Sequence, residues 1–323
     1  MARTREAHAM SNANPEDTTP EEPKSLVERL GAALPVGLTA LATVFAGMST
    51  GALQQAMYWK SQAAQDQSKA TNQWSLAGFK VNRALIMQTS AAQIAAVAGN
   101  PANPFASTTA LPAEPTNEQR ASLWLAGKGP PRAYRRTSPE KDRTPPAVGL
   151  PPVESAALSE MLDAIKNRVE EGTILRMAAR IPLDTINRVI DSAEATVEEL
   201  TDKDWDAVVS AARTLVREKS RDKPSGAAAQ VALFEMEQRR YRSEATLNQE
   251  VGFLYEARVK ITTAESDKHR RKSQQFFIAM LAAQIGATIS ALALARKTRS
   301  VLWLLAGLIG LASIGIGAYV FLE

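Results

Sequence analysis

The chain has 323 residues, of which 45% are hydrophobic, 22% charged and 6% aromatic, with a formal net charge of +4 and a mean hydropathy of −0.19. These averages describe an ordinary globular composition and exclude a collagen-like or wholly disordered chain. The lack of cysteine excludes disulfides, thiolate zinc sites and a cysteine nucleophile, and His8 and His269 alone leave almost nothing for a histidine-based metal site or acid–base centre.

The averages conceal a segregated chain. Residues 1–29 read as a disordered polar tail. Leu30 to Trp59 then contains no charged residue. A helix of about 20 residues crosses a hydrocarbon core of ~30 Å, so residues 30–58 are expected to form a first transmembrane helix. The stretch carries Pro35 and several glycines, and its membrane segment is expected from Leu34 to Met57. A buried core helix is the alternative. A signal peptide fits poorly, because the stretch starts far from Met1 and follows an acidic segment without a basic n-region. Tyr58, Trp59 and Lys60 close the span, Trp59 and Lys60 as interface residues. Gly37, Ala40, Gly47 and Gly51, with Val44 in register, form a stripe of small residues expected to pack against another helix.

Residues 59–99 lack proline and are rich in helix formers, so they read as a helical extension with Trp74, Phe79, Leu85, Ile86 and Ile94 as apolar contacts. Residues 100–152 hold eleven of the seventeen prolines and read as a linker. One short helix interrupts it, NEQRASLWLAG, capped by Thr116 and stopped by Gly127. From Glu118 to Val153 seven Lys/Arg face three acids, which accounts for the net charge of the whole chain. Such a run touches anionic headgroups or an acidic partner, or is simply solvated. No nucleic-acid-binding motif accompanies it.

Residues 153–275 read as a helical extramembrane domain. Leu158, Met161, Leu162, Ile165 and Val169 mark one face. Leu183, Ile186, Ile190, Ala193, Val197 and Leu200 step by 3 and 4 like a coiled-coil seam. Thr201 to Asp204 resembles a capping box before a helix that buries Trp205, Val208, Val209, Ala212 and Leu215. Pro224-Ser225-Gly226 ends that helix. A last helix begins near Ala227, with Gly252 as its weak point. The segment 154–200 is acidic and 227–275 is basic, so these helices are expected to lie together, although exposed pairs add little energy.

Two further uncharged spans follow, 276–295 and 300–322, joined by the basic turn 296–299. So short a turn makes them an antiparallel hairpin. Ala279, Ala283, Gly286, Ser290 and Ala293 form the small stripe of one, and Ala306, Gly310, Ser313 and Gly317 that of the other. Small residues let helices approach closely in lipid. Gln284 and Thr288, one turn apart, are read as interhelical glue rather than a pathway. No Asp, Glu, Lys or Arg interrupts any span, which argues against a proton relay. Arg270, Arg271, Lys272, Arg296, Lys297, Arg299 and Trp303 complete the interface set. The charges flanking the spans are nearly balanced, and the basic linker tips the expected orientation toward a cytoplasmic centre.

The chain resembles a family of uncharacterised bacterial membrane proteins, domain of unknown function 4337. The likeness rests on Asn72-Gln73-Trp74 and Phe79-Lys80 after the first span. It continues with His269-Arg270-Arg271 before a span bearing Phe276, Ala279, Gln284 and Ile285. Arg296-Lys297 in the turn, then Leu302-Trp303, Gly307 and Gly310, complete it. It covers the two ends, roughly half the chain. Ser75 to Gly78 departs from the family's aromatic position, and the proline-rich middle departs from its plainer charged helix. The resemblance implies an integral membrane protein and no activity, since none is established for the family; the expected location is the cytoplasmic (inner) membrane.

The expected fold class is therefore all-α: three transmembrane helices and a central helical, coiled-coil-like domain. There is no Walker loop, dinucleotide fingerprint or nucleophile elbow, and no cofactor or metal motif. The expected function is a non-enzymatic membrane anchor or scaffold. Its partners would be the lipid bilayer, a second copy, or a protein bound through the helical domain. The alternative is a subunit of an oligomeric channel or transporter.

Overall fold

In the computed structural model the chain is all-helical, and no strand occurs among the described residues. Those residues are 26–99, 102–107, 115–128, 153, 155–198, 205–221, 223–295 and 301–322. In chain order the helices are α1 (Leu26–Ala98), α2 (Asn117–Leu125), α3 (Ala156–Lys166), α4 (Glu171–Ala178), α5 (Leu183–Glu198), α6 (Asp206–Lys219), α7 (Lys223–Ala295) and α8 (Val301–Leu322). The chain divides into two compact units, one of residues 1–51 with 272–323, the other of residues 52–271.

The smaller unit holds the spans. On α7 and α8 most inward positions are small and most outward positions large, with Phe276 and Val320 as buried exceptions. Ala279, Ala283, Gly286, Ser290 and Ala293 of α7 are buried. So are Ala306, Gly310, Ser313 and Gly317 of α8. Phe277, Ile278, Leu281, Ile285, Leu304, Leu308, Leu311 and Ile314 are exposed. A water-soluble helix does the reverse. Helices associating in lipid, where Leu gains nothing by leaving the solvent, pack by close approach instead. All three helices are long and apolar enough to cross a membrane.

The small stripe of α1 does not face α7 or α8 within the chain. Gly37 and Gly47 lie exposed, with nothing within 4 Å of a β-carbon placed on either. The contact face of α1 is Leu38, Ala42 and Phe45 instead. The reason is complementarity: the glycines of α7 and α8 leave hollows that need bulky occupants. A β-carbon on Gly310 would sit 2.9 Å from Leu38, and one on Gly286 3.2 Å from the same side chain. Phe45 fills the hollow over Gly317 and stacks on Phe276 at 6.4 Å. The Ser313 hydroxyl donates to the Ala279 carbonyl at 2.7 Å, and Ser49 to the Ser273 carbonyl at 2.9 Å.

The larger unit is organised on α1 and α7, which run antiparallel within it: Ala56 meets Ser266, Asp66 meets Arg258, and Lys80 meets Asn248. On α1 the buried apolar residues of this unit are Ala56, Ala63, Ala70, Ala77, Ala84 and Ala91, one every seven residues, and Asp66 is buried with them. Two cores pack here. Leu158, Met161 and Ile165 of α3, Ile174 of α4 and Ile186 and Ile190 of α5 close on Val251, Leu254 and Ile261 of α7. Each such side chain contributes about 1.5–3 kcal/mol of apolar transfer. Val169, expected on the same face, is 41% exposed because α3 has already ended. The second core joins Phe105, Trp124 and Leu125 to Trp205 at the start of α6, to Val208 and Val209 of α6 and to Leu233, Met236 and Leu247 of α7.

That second core takes in part of the segment read as a linker. The segment around Phe105 and α2, expected to interrupt a linker, is part of the packed unit. Its helix begins on Thr116 with a full capping box to Gln119 and ends at Gly127 with φ +88°, as the residues indicated. Helix α7 starts at Lys223, so Pro224 lies in its first turn rather than ending the preceding helix. Gly252 is a seat for Trp74, whose ring would lie 3.1 Å from an added β-carbon.

Candidate functional site

In the span-bearing unit, Gln284 and Thr288 correct a second expectation. Both are exposed and do not lie among the three helices. The interior register 283, 286 and 290 is occupied by small residues, and 284 and 288 fall to one side of it. They line an open groove with Thr39, Ala42, Thr43 and Ala46 of α1. The threonine hydroxyls are satisfied along their own helices: Thr39 donates to Pro35, Thr43 to Thr39 and Thr288 to Gln284.

The other predicted residues divide between the units. Lys272 is half-buried and Trp303 partly so, both in the span-bearing unit. In the larger unit Trp59 is half-buried, while Lys60, Arg270 and Arg271 are exposed. Arg296, Lys297 and Arg299 lie outside the described residues, as do Leu200 and the capping box expected at 201–204.

Within the larger unit the buried polar residues that sequence reasoning passed over form a connected cluster. Asp66 is fully buried on α1 and ion-pairs with Arg258 of α7. Arg258 also donates to the Asn187 side chain at 3.3 Å and lies over the Tyr255 ring at 5.0 Å. Tyr255 donates to Glu194. Burial pushes the Tyr255 phenol well above its usual range, and the Glu194 hydrogen bond and charge act in the same direction. A groove of about 380 Å³ opens beside this cluster, lined by Tyr58, Trp59, Gln62, Asp66, Leu183, Asn187, Asp191, Arg258 and Thr262.

A second network holds the same helix pair. Lys80 bridges Glu244 at 3.1 Å and donates to Asn248 at 3.2 Å. Arg240 joins Glu244 to Asp206. Burial opposes the Arg240 charge, but Glu244 and Asp206 outweigh it and raise its pKa. Arg239 donates to the Trp124 carbonyl at 2.7 Å, tying α2 to α7, and burial lowers its pKa. Trp74 donates to Glu256 at 2.9 Å and meets Phe253 edge-on, a packing aromatic as expected of it. Two bridges cross from α3 and α4 to α7. Lys260–Glu171 runs in the sense expected from the charge segregation, and Lys166–Glu250 runs opposite to it.

No family model matches the chain, and neither a curated protein nor a solved structure matches it. What can be said of its function therefore rests on the geometry above.

Proposed function

We propose that this protein is a multi-pass membrane anchor that holds a helical domain at a bilayer for self-association or for scaffolding a partner. The observation that carries this reading is the packing of α7 and α8, mostly small residues inside and large apolar residues outside. Helices α1 and α7 each contain both a span and a long charged segment, so anchor and domain share the same two helices. The α1/α7 pair, with its seven-residue alanine repeat, is coiled-coil-like. The role is interaction rather than catalysis.

Self-association is favoured by the outer face of α1. Gly37, Gly47 and Gly51 are open, beside Thr39, Thr43 and Gln284. A Gln amide exposed to hydrocarbon is costly unless a neighbour accepts it. Because the chain has no cysteine, Gly47→Cys reports on this face alone. Oxidative crosslinking in membranes is expected to give a dimer with Gly47→Cys and none with Leu308→Cys on the outer face of α8. Crosslinking at Leu308 only would refute this interface.

The central domain is proposed to be cytoplasmic. In intact cells an impermeant thiol reagent should label Thr298→Cys and spare Ala133→Cys, and the opposite pattern reverses the orientation. The second reading, an oligomeric channel or transporter subunit, draws on the polar groove at Gln284 and Thr288. Ion flux in reconstituted vesicles that Gln284→Leu alters would select it over the scaffold.

A further inference from the structure

The groove beside Asp66 contains two buried polar atoms that nothing in the fold satisfies. Asp66 uses Oδ1 for Arg258 and for Gln62 at 3.5 Å, while its Oδ2 has no partner. Arg258 uses both terminal nitrogens, while its Nε has none. Unsatisfied buried carboxylate oxygens are rare and call for an occupant. The groove, at about 380 Å³, is far larger than the ~30 Å³ of one water. The Thr262 hydroxyl is committed to the Arg258 and Val259 carbonyls, and the Asn187 carbonyl oxygen to Arg258. What remains uncommitted is the buried Oδ2 of Asp66, the exposed carboxylate of Asp191, and the rings of Tyr58 and Trp59, packed edge-on at 5.2 Å.

We propose that this groove binds an organic ammonium group. Two carboxylates against one guanidinium leave a negative balance, which disfavours an anion. Two carboxylates without a third acidic or histidine ligand are a poor metal site, and no group of three such ligands occurs among the described residues. Aromatic faces attract an alkylated ammonium, which a carboxylate then neutralises. Gln62, half-buried above Asp66, is the side chain the ligand displaces. The ammonium comes either from an amine-bearing lipid headgroup or from a free amine. Tyr58 and Trp59 close the first uncharged stretch, which is the headgroup level for such rings. The lipid source therefore rests on the membrane reading above, and the free-amine source does not.

The test uses the delipidated full chain in detergent. In one arm its melting temperature is followed against ethanolamine and choline chloride, with sodium chloride at equal ionic strength as control. In the other, native mass spectrometry compares retention of phosphatidylethanolamine with phosphatidylglycerol. A saturable rise with an amine identifies the free source, and preferential retention of the amine lipid the lipid source. In either case Asp191→Asn is expected to weaken the effect about tenfold, the scale of one charge-assisted contact. Asp191 is exposed, so this variant keeps the fold; Asp66→Asn, which strips the buried Arg258 of its charge partner, is not needed. No discrimination in either arm, or discrimination undiminished in Asp191→Asn, overturns the proposal. Recovery of the chain in the aqueous fraction without detergent would instead refute the membrane reading.

Discussion

Gly317→Ala is expected to destabilise the span-bearing unit by about 2–3 kcal/mol, the cost of overpacking a filled site. Gly315→Ala, two residues away on the same helix, is expected to be neutral or to gain up to about 1 kcal/mol from helix propensity. The contrast follows from the hollows in α8. An added β-carbon at Gly315 meets nothing within 4 Å, whereas at Gly317 it overlaps the Phe45 ring. The ring cannot swing aside freely, because it stacks on Phe276 and is itself 6% exposed. Gly310 is the intermediate case, since its neighbour is the flexible end of Leu38 at 2.9 Å. Thermal unfolding in detergent reads all three, and Phe45→Leu is expected to recover part of the Gly317→Ala loss, showing that the two sites couple. Equal melting temperatures for Gly315→Ala and Gly317→Ala would remove Phe45 from the packing scheme.

The buried faces of α7 and α8 were legible because small residues at helical spacing carry a plain signal once a span is recognised. The same logic misplaced α1. A row of glycines says that close approach is permitted, not that it occurs, and here the partner glycines on α7 and α8 demanded the side chains of Leu38 and Phe45 instead. Helix ends show a similar split. Gly127 marks the end of α2 in plain sight, but α3 ends with Arg168 at φ +53°. The bonds from Arg168 N to the Ile165 carbonyl and from Val169 N to the Ala164 carbonyl close the same type of motif. No residue type announces that end.

The alanine repeat from Ala56 to Ala91 escaped notice for a chemical reason. Alanine is too common and too weakly apolar to stand out, and the positions between the alanines include Asp66, Gln73 and Lys80, which read as solvated. A strict seven-residue spacing of one residue type was the available signal. The repeat has a consequence for specificity. Sliding α1 past α7 by seven residues would again present alanine at each buried position, so the alanines alone do not fix the register. The polar residues between them do: Asp66 has its partner in Arg258, Lys80 in Glu244 and Asn248, and Trp74 its seat at Gly252. Each shift by seven strands all of these at once.

Asp66→Ala is therefore expected to be the most damaging single change in the larger unit, at about 3–5 kcal/mol. The cost arises from Arg258, whose side chain is 13% exposed and would keep only its 3.3 Å bond to Asn187 and its place over the Tyr255 ring, with no counter-charge. The paired substitution Asp66→Leu with Arg258→Met removes both charges and fills the space with apolar atoms, and it is expected to be far milder than Asp66→Ala, near neutral or even stabilising. Urea unfolding of the full chain in detergent, followed by far-UV circular dichroism, measures all three proteins. The decisive readout is register. A disulfide between cysteines placed at Ala56 and Ser266, which meet in the native pairing, should form rapidly in the parent background. It should form more slowly in the apolar double variant if the ion pair specifies alignment rather than strength. Equal rates, with a stable double variant, would show that Lys80 and Trp74 hold the register without Asp66.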